Sequence, residues 1–353
     1  MNDIRVGVNG YGVIGKRVAD AVLAQPDMHL VGIADIATDW RIQSAASRLP
    51  IFAATAEARR AMLDAGVNAQ GDLEQLLAEC DVIVDTTPKH VAAGNLERYR
   101  AAGVKTVLQG GESHATTGHS FVAQANYATA LGRDSTRVVS CNTTSIVRVL
   151  GALTTAGLLE RARGVLIRRA TDPWESHLGG IMNTMVPEAT IPSHQGPDAR
   201  TVLPELDVVT IAAKGAHTQT HSHFWTLQLT RQATREEVLA ALRAAPRIAF
   251  IRMSDGLVAL NSTIELMRDL GRPRGDMWEV AVWEDLLTVT GDEAYLAYQV
   301  YNEAIVVPET IDAIRALVGA VTDADTSIRL TDESLGMRQD FLIPPERTNH
   351  DRS

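Results

Sequence analysis

The chain has 353 residues and a formal net charge of −10, with 45% hydrophobic and 22% charged residues. This balance indicates a globular protein long enough for two domains, and it argues against a nucleic-acid partner. No apolar run approaches membrane-spanning length and no signal peptide precedes the first strand, so we expect a cytoplasmic protein. Two cysteines, Cys80 and Cys141, form no disulfide framework and suit a reducing compartment.

A glycine-rich motif, Gly10-Tyr11-Gly12-Val13-Ile14-Gly15, follows the first predicted strand at residues 4–8. An amphipathic helical pattern comes directly after it, which is the context that a dinucleotide-binding motif requires. Gly10 would permit the tight turn, Gly12 the approach of a pyrophosphate, and Gly15 the close packing of helix on strand. The helix N-terminus would supply N–H donors to the phosphates.

The second predicted strand, residues 28–34, ends at Asp35, about twenty residues beyond the motif. An acid at this position accepts hydrogen bonds from the ribose hydroxyls and repels a 2′-phosphate. The alternative is a turn carboxylate that faces solvent. The spacing favours the ribose role and therefore NAD over NADP.

Two further buried strands, near residues 80–85 and 105–108, belong to the same predicted sheet. Loops at the carboxyl ends of parallel strands line the cofactor cleft of a doubly wound sheet. Thr87, Pro88 and Gly111 lie in such loops, and we expect them to border the cofactor.

Cys141 follows the predicted strand end Val138-Val139 and precedes a helical pattern that starts at Ile146. A thiol near a helix N-terminus can ionise near neutral pH because unpaired N–H groups stabilise the thiolate. A lone cysteine is otherwise often a small buried hydrophobe. The expected position at the cofactor edge favours a nucleophile.

Longer alternating strands begin at Gly164 and predict an antiparallel sheet that forms a substrate domain. His221 and His223 are two residues apart, so on a strand they share a face. They could ligate zinc, but no third ligand with convincing spacing is nearby. We favour the role of a general base beside the thiol, because imidazole titrates in the pH range where a thiolate must form. A structural role is the alternative for either histidine.

The C-terminal part predicts a helix over residues 310–318, with Ile311, Ile314, Leu317 and Val318 on one face. This apolar face could pack back onto the first domain. The polar residues 338–353, which include Pro344 and Pro345, are expected to form a flexible tail.

Together, several motifs resemble the archaeal-type (type II) glyceraldehyde-3-phosphate dehydrogenases, in order and over the chain to about Met337. They are Gly10-Tyr11-Gly12 with Ile14-Gly15-Lys16-Arg17, Gln109-Gly110-Gly111-Glu112, Gln124-Ala125-Asn126-Tyr127, Ser140-Cys141-Asn142-Thr143-Thr144, Arg168-Arg169 with Asp172-Pro173, Gly271-Arg272-Pro273-Arg274 and Ile305-Val306-Val307-Pro308-Glu309. The resemblance implies a homotetramer of two-domain subunits. Residues 1–140, completed by 303–337, would form an NAD-binding Rossmann domain with a doubly wound parallel sheet. Residues 141–302 would form an α+β catalytic domain with an antiparallel sheet.

Carried over residue by residue, the resemblance makes Cys141 the nucleophile and His221 the catalytic histidine. It implies substrate contacts from Ser140, Cys141, Asn142, His194 and Gln195. It implies cofactor contacts from Val13, Ile14, Gly111, Arg169 and Asn302. No metal is implied.

The resemblance implies phosphorylating oxidation of glyceraldehyde 3-phosphate to 1,3-bisphosphoglycerate through a Cys141 thioester, with NAD and inorganic phosphate. Departures from the family pattern cluster around the expected substrate pocket, at Trp174, His177, Gln195 and His217. A related dehydrogenase for another small phosphorylated or phosphonylated aldehyde is therefore one alternative, and water is an alternative final acceptor. A non-catalytic NAD-binding regulator is another alternative, against which the retention of Cys141 and His221 argues.

Overall fold

The computed structural model describes residues 3–109, 111–171 and 184–342, and its first half forms an eight-stranded parallel sheet. The strands are β1 (Ile4–Asn9), β2 (Met28–Asp35), β3 (Ile51–Ala53), β4 (Gly71–Asp72), β5 (Val82–Asp85), β6 (Lys105–Leu108), β7 (Ser120–Phe121) and β8 (Ser135–Val138), in the order β4-β3-β2-β1-β5-β6-β8-β7. Its helices are α1 (Val13–Leu23), α2 (Trp40–Ala46), α3 (Ala56–Asp64), α4 (Leu73–Glu79), α5 (Val91–Ala101), α6 (His114–Thr117) and α7 (Ala123–Ala130). The predicted doubly wound Rossmann sheet is confirmed, and its strand order reverses between β1 and β5, where such folds bind ligands.

The second half forms another sheet, of eight strands. They are β9 (Leu159–Arg169), β10 (Met185–Pro187), β11 (Val208–Gly215), β12 (His221–Leu229), β13 (Ile248–Ile251), β14 (Val280–Trp283), β15 (Thr288–Thr290) and β16 (Glu293–Val300). The order is β10-β11-β9-β12-β16-β14-β13, with β15 paired to β16. Helices α9 (Gln195–Ala199), α10 (Arg235–Ala244) and α11 (Leu260–Asp269) lie between these strands in the chain.

The second sheet, predicted as antiparallel, is mixed, although most of its strand pairs are antiparallel. Strand β11 pairs parallel with β9, and β14 pairs parallel with β13. Parallel neighbours need a long crossover, and here α9 lies in one crossover and α11 in the other. The sequence pattern of the strands does not indicate either crossover.

Helix α8 (Cys141–Thr155) joins the two sheets and carries the cysteine. It begins five residues before the predicted start at Ile146, because Oγ of Ser140 caps it by accepting a hydrogen bond from Thr143 N at 3.3 Å. Ile146, Val147, Val149, Leu150 and Leu153 are fully buried along its length. Cys141 is therefore the first residue of a helix whose packing is fixed on both sides.

Two C-terminal helices, α12 (Val306–Val318) and α13 (Ala324–Leu335), follow the second sheet and pack against the first half of the chain. Arg315 of α12 is buried, and its Nε donates to Asp27 Oδ2 at 2.7 Å. The Tyr127 hydroxyl of α7 donates to the Val321 carbonyl at 2.8 Å. The chain thus returns to the first sheet after completing the second.

Residues 338–342, expected at the start of a flexible tail, are part of the fold. The backbone N–H of Phe250 donates to the Gln339 carbonyl at 2.8 Å, and Phe341 is only 3% exposed. The ring of Phe341 is buried although its segment is polar, because the backbone of this segment accepts a hydrogen bond from the edge of β13. The remainder of the predicted tail, from residue 343, lies outside the described residues.

Candidate active site

The glycine-rich motif lies between β1 and α1 and requires glycine at Gly10 and Gly15. Gly10 has a φ of 94°, and a Cβ on Gly15 would lie 1.9 Å from the Gly10 carbonyl oxygen. Open space surrounds the position of a Cβ on Gly12, and within the described residues no side chain caps α1 there. The N–H groups of the first turn, which includes Val13 and Ile14, are thus available to phosphate oxygens, so this loop fits a dinucleotide.

Asp35 is tied to the glycine-rich motif. Its Oδ2 accepts a hydrogen bond from Tyr11 N at 2.5 Å, and its Oδ1 accepts from the backbone N–H groups of Ile36 and Ala37. The Tyr11 side chain is buried, so this residue can border a cofactor only through its backbone. Asp35 therefore shapes the loop in addition to any contact with a ribose.

A cation lies close to the same region. Lys16 Nζ lies 4.9 Å from the ring centroid of Trp40, a residue that is 63% exposed at the start of α2. Its charge would attract the phosphate that Asp35 would repel. Lys16 and Asp35 thus place opposite charges near the glycine-rich motif.

The loop after β5 contacts the glycine-rich motif at the carboxyl edge of the sheet, and the loop after β6 contacts the loop after β5. Thr86 Oγ1 donates to the Gly10 carbonyl at 2.6 Å, and Thr87 N donates to Asp85 Oδ1 at 2.9 Å. Beyond Pro88, His90 N donates to Glu112 Oε1 at 2.6 Å and so connects the two loops. Gly111 has a φ of 80° with open space at its Cβ position, and it would allow a ligand to approach closely.

Asn302 is the predicted amide contact to the nicotinamide. It is 6% exposed, and its buried Oδ1 accepts no hydrogen bond from the described residues. The next residue, Glu303, is held by Arg17 of α1 at 2.8 Å. A buried amide oxygen without a hydrogen bond from the described residues, next to a residue that pairs with α1, fits a ligand that supplies an N–H donor.

The catalytic pair predicted from the sequence is brought together across 80 residues of chain. Sγ of Cys141 lies 3.4 Å from Nε2 of His221, the first residue of β12. His221 Nδ1 accepts a hydrogen bond from the backbone N–H of Arg169, the last residue of β9, at 3.0 Å. Preceding His221, Thr220 has a φ of 66°, which is strained for a β-branched residue. Such strain is typical of functional sites.

Burial opposes the expected ionisation of Cys141 near neutral pH. Burial raises the pKa of Cys141 above its ordinary value of 9.0. The charges of Arg169 and Arg168, and the backbone N–H groups of Asn142 and Cys141, lower this pKa by less than burial raises it. A helix N-terminus favours a thiolate, but removal from water costs the charged form more here.

His223 faces the same side of β12 but does not pair with the thiol. Its Nε2 donates to Asn142 Oδ1 at 2.8 Å and its Nδ1 lies 3.0 Å from the Tyr298 hydroxyl. Burial lowers the pKa of His223 to about 3, so the ring stays neutral. The geometry favours His221 over His223 as the partner of Cys141.

The predicted substrate residues His194 and Gln195 meet at Glu188, which the sequence analysis did not identify. His194 Nδ1 lies 3.1 Å from Glu188 Oε2, Gln195 Nε2 donates to Glu188 Oε1 at 3.2 Å, and Arg168 forms an ion pair with the same carboxylate. Gln195 is fully buried, and its Oε1 accepts no hydrogen bond within the described ranges. Trp174 and His177, predicted to line the same pocket, lie outside the described residues.

A buried ionic cluster holding α8 also escaped the sequence analysis. Glu309 Oε1 accepts from Arg148 Nη2 at 2.5 Å and from Arg247 Nη1 at 3.1 Å, and all three side chains are buried. An acid inside the apolar run at 305–309 was the available signal. Its partners are distant in sequence and could not be identified from spacing.

Ranges 3–109, 111–171 and 184–342 lack both a membrane-spanning helix and a metal-binding cluster. None of their helices is long and apolar enough to span a bilayer. No three His, Cys, Asp or Glu side chains in these ranges are grouped so that they could hold a metal ion.

Comparisons with known proteins show similarity along nearly the whole chain. Residues 140–285 match the family model for the C-terminal domain of glyceraldehyde 3-phosphate dehydrogenase, and residues 4–143 match that for the N-terminus of dihydrodipicolinate reductase. The glyceraldehyde-3-phosphate dehydrogenase of Methanococcoides burtonii is 41% identical over 338 residues, 96% of this chain and 100% of the relative. That of Pyrobaculum calidifontis is 45% identical over 336 residues, 94% of this chain and 97% of the relative.

Proposed function

The chain belongs to the glyceraldehyde-3-phosphate dehydrogenase family, and from this premise we propose that it oxidises glyceraldehyde 3-phosphate to 1,3-bisphosphoglycerate, a glycolytic reaction. The observation that carries the proposal is the contact between Cys141 Sγ and His221 Nε2 at 3.4 Å. This pair lies at the N-terminus of α8, which joins the nucleotide-binding sheet to the second sheet.

In the proposed reaction, the Cys141 thiolate attacks the aldehyde carbonyl and forms a thiohemiacetal. His221 faces the reacting atoms, and the amides at the start of α8 face the sulfur. A nicotinamide dinucleotide, the cofactor that both family models imply, supplies the hydride acceptor when bound. The resulting thioester on Cys141 is then cleaved by inorganic phosphate.

We propose NAD rather than NADP as the preferred cofactor. The carboxylate of Asp35 at the end of β2 supports this choice, because a 2′-phosphate there would face a negative charge. Gly10, Gly12, Gly15, Val13 and Ile14 would hold the pyrophosphate, with Thr87, Pro88, Gly111, Arg169 and Asn302 bordering the rest of the cofactor.

A second candidate is oxidation of another small phosphorylated or phosphonylated aldehyde. The observation in its favour is the Glu188 carboxylate, which pairs with Arg168 and accepts from Gln195. An acid paired with a pocket arginine reduces the positive charge available to a phosphate. A non-catalytic regulator receives less support, since a dinucleotide-binding scaffold alone has no need for a histidine beside a thiol.

We also propose that the subunit assembles into a homotetramer in the cytoplasm. Ile211, Val165 and Phe224 stand side by side on neighbouring strands of the outer face of the second sheet, and each is more than 40% exposed. A contiguous apolar surface of this kind suits burial against a second copy. We propose the domain division 1–140 with 303–337, and 141–302, because α12 and α13 pack against the first half of the chain.

The test is a screen of phosphorylated and phosphonylated aldehydes with NAD, following NADH absorbance with and without inorganic phosphate. We expect glyceraldehyde 3-phosphate to have the highest kcat/KM and steady turnover to depend on phosphate. A higher kcat/KM for another aldehyde would favour the second candidate, and phosphate-independent turnover would indicate water as the acceptor. If none of the aldehydes supports NADH formation, the non-catalytic NAD-binding regulator is the remaining hypothesis.

A further inference from the structure

The guanidinium of Arg137, on β8, lies where separate parts of the candidate active site meet. The residue is only 4% exposed, and its N–H groups donate in several directions. Nε donates to Ser120 Oγ at 2.8 Å, and Nη1 donates to the Glu112 carbonyl at 3.0 Å. Nη2 forms an ion pair with Asp198 of α9 and donates to Thr201 Oγ1 at 3.2 Å. The guanidinium therefore joins the loop after β6 to the segment around α9.

The Asp198 carboxylate extends this contact to the helix that carries the nucleophile. Its Oδ1 accepts from Arg137, and its Oδ2 accepts from Thr143 Oγ1 at 2.8 Å. Thr143 is fully buried in the first turn of α8, and its Oγ1 lies 2.9 Å from Oγ of Ser140. Since Ser140 directly precedes Cys141, the path ends at the backbone of the nucleophile.

The donors and acceptors along this path allow a single arrangement. A carboxylate paired with a buried arginine is ionised and can only accept, so the Thr143 hydroxyl hydrogen points to Asp198. Ser140 must therefore donate its own hydroxyl hydrogen to Thr143. The cap bond from Thr143 N to Ser140 Oγ is long, at 3.3 Å. The hydroxyl contact is thus the shorter of the two contacts that orient the Ser140 side chain.

We propose that Arg137 and Asp198 are positioning residues, which fix the first turn of α8, and with it Cys141, through the hydroxyl of Thr143. The inference rests on the proposed function, because it concerns the geometry of the thioester reaction. Neither residue is catalytic in this proposal, since each acts through another group.

Arg137 also holds the loop that carries Gly111. The carbonyl of Glu112 accepts from Arg137, and Glu112 Oε1 accepts from His90 N at 2.6 Å in the loop after β5. We expect both loops to border the cofactor. Arg137→Met should therefore both weaken NAD binding, measured by calorimetry, and lower kcat. Asp198→Asn should lower kcat without changing the Kd for NAD, and an equal rise in Kd for both variants would contradict this division of roles.

Steady-state kinetics with glyceraldehyde 3-phosphate, NAD and phosphate test the path. An amide cannot accept from both Arg137 and Thr143, so Asp198→Asn breaks the path at one end. Thr143→Val keeps the side-chain shape but removes the hydroxyl. Each variant should lose about 10- to 100-fold in kcat, as expected for a misplaced nucleophile. Thr143→Ser, which keeps the hydroxyl, should restore most of the loss.

Thr201→Val is the matched control, because it removes another contact of Arg137 but leaves both bonds of the Asp198 carboxylate in place. Its kcat should equal that of wild type. Since Asp198 and Thr143 act through one path, the double variant Asp198→Asn with Thr143→Val should be no slower than the slower single variant. Multiplied losses, or an equal loss in Thr201→Val, would indicate general structural damage and would overturn the proposal.

The pH dependence of Cys141 alkylation by iodoacetamide tests the same path without substrate, in Cys80→Ser protein so that one thiol reacts. The N–H groups at the start of α8 favour the thiolate. A loosened first turn in Thr143→Val should therefore move the alkylation midpoint upward, by about half a pH unit. Thr143→Ser should keep the midpoint of the Cys80→Ser parent.

The other charged and titratable groups that face the sulfur are Arg168, Arg169 and His221, and all of them are unchanged in these variants. An unchanged midpoint in Thr143→Val would overturn the proposal. The proposed function fails by a different result, which is the absence of NADH formation by the wild-type protein.

Discussion

Asn142 Oδ1 accepts a hydrogen bond from Nε2 of His223 at 2.8 Å, so the residue next to the nucleophile is held by a buried histidine from the second sheet. The other ring nitrogen of His223 lies 3.0 Å from the Tyr298 hydroxyl. Both polar ends of the imidazole are thus satisfied in its neutral form. This contact ties the start of α8 to a histidine that burial keeps neutral.

The first prediction concerns stability in acid. Burial lowers the pKa of His223 to about 3 from an ordinary value of 6.5, so between these values the unfolded chain binds a proton that the folded chain excludes. The stabilisation is complete above pH 6.5 and declines as the pH falls, by roughly 2 kcal/mol between pH 7 and about 4.5. Urea unfolding at the two pH values measures this loss of unfolding free energy. We expect the loss to be smaller in His223→Gln than in wild type, and unchanged in the exposed control His29→Gln. An unchanged pH dependence in His223→Gln would contradict the assignment.

The second prediction distinguishes the two histidines of β12. His221→Asn should slow both turnover and alkylation of Cys141 by iodoacetamide, because the thiolate loses its only imidazole contact at 3.4 Å in the described part of the chain. A loss of 100-fold or more in turnover is the expected order of magnitude. His223→Gln should affect both rates much less, since Gln can still donate to Asn142. Slower turnover and alkylation in His223→Gln than in His221→Asn would assign the catalytic role to His223 instead.

The third prediction concerns the nucleophile. Cys141→Ser should retain NAD binding, measured by calorimetry, because the glycine-rich motif and Asp35 lie on other elements. It should lose dehydrogenase activity, because a serine hydroxyl is far harder to ionise than a thiol. Cys80→Ser, at a cysteine packed between β1 and α4, is the matched control and should remain active. Substantial turnover by Cys141→Ser would exclude the thioester mechanism.

The fourth prediction concerns the cofactor. Replacing Asp35 by Ser should reduce the preference for NAD over NADP, mainly by increasing kcat/KM with NADP. The repulsion between the carboxylate and the 2′-phosphate accounts for a difference on the order of a hundredfold in affinity. Asp35→Asn is the matched variant, because it keeps an oxygen for the Tyr11 N–H bond while removing the charge. If Ser but not Asn changes the preference, the loop geometry is responsible. Equal kcat/KM values for NAD and NADP in the wild-type protein would refute the role of Asp35.

The fifth prediction concerns the ionic cluster behind α8. Glu309→Gln leaves the buried Arg148 without its carboxylate partner, which should destabilise the protein by about 3–5 kcal/mol, while Arg247 keeps its ion pairs with Asp312 and Asp332. The control is Glu333→Gln on α13, whose ion pair with Arg329 is exposed and should contribute little. Denaturant unfolding of both variants measures the difference. Similar midpoints for the two variants would show that the buried cluster contributes no more than a surface pair.

Local pattern determined much of the first half of the molecule. The turn at Gly10, the packing at Gly15 and the acid at Asp35 follow from residues that are close in sequence, and the strand–loop–helix context was sufficient to predict them. The Cys141 position at a strand-to-helix junction was likewise local. The actual start of α8 depended on the Ser140 cap, whose partner is three residues away.

Only the tertiary structure decided the properties that depend on distant partners. The parallel pairing of β11 with β9, the convergence of His194, Gln195 and Arg168 on Glu188, and the Arg148–Glu309 contact all join residues from separate elements. The pKa of Cys141 also belongs here, because a helix N-terminus is visible in the sequence but burial is not. The contact between His221 Nδ1 and the backbone N–H of Arg169, 52 residues away, belongs here too. Spacing in a sequence reports which face a side chain occupies, whereas solvation and hydrogen-bond partners are set by whichever chain segments the fold brings against that face.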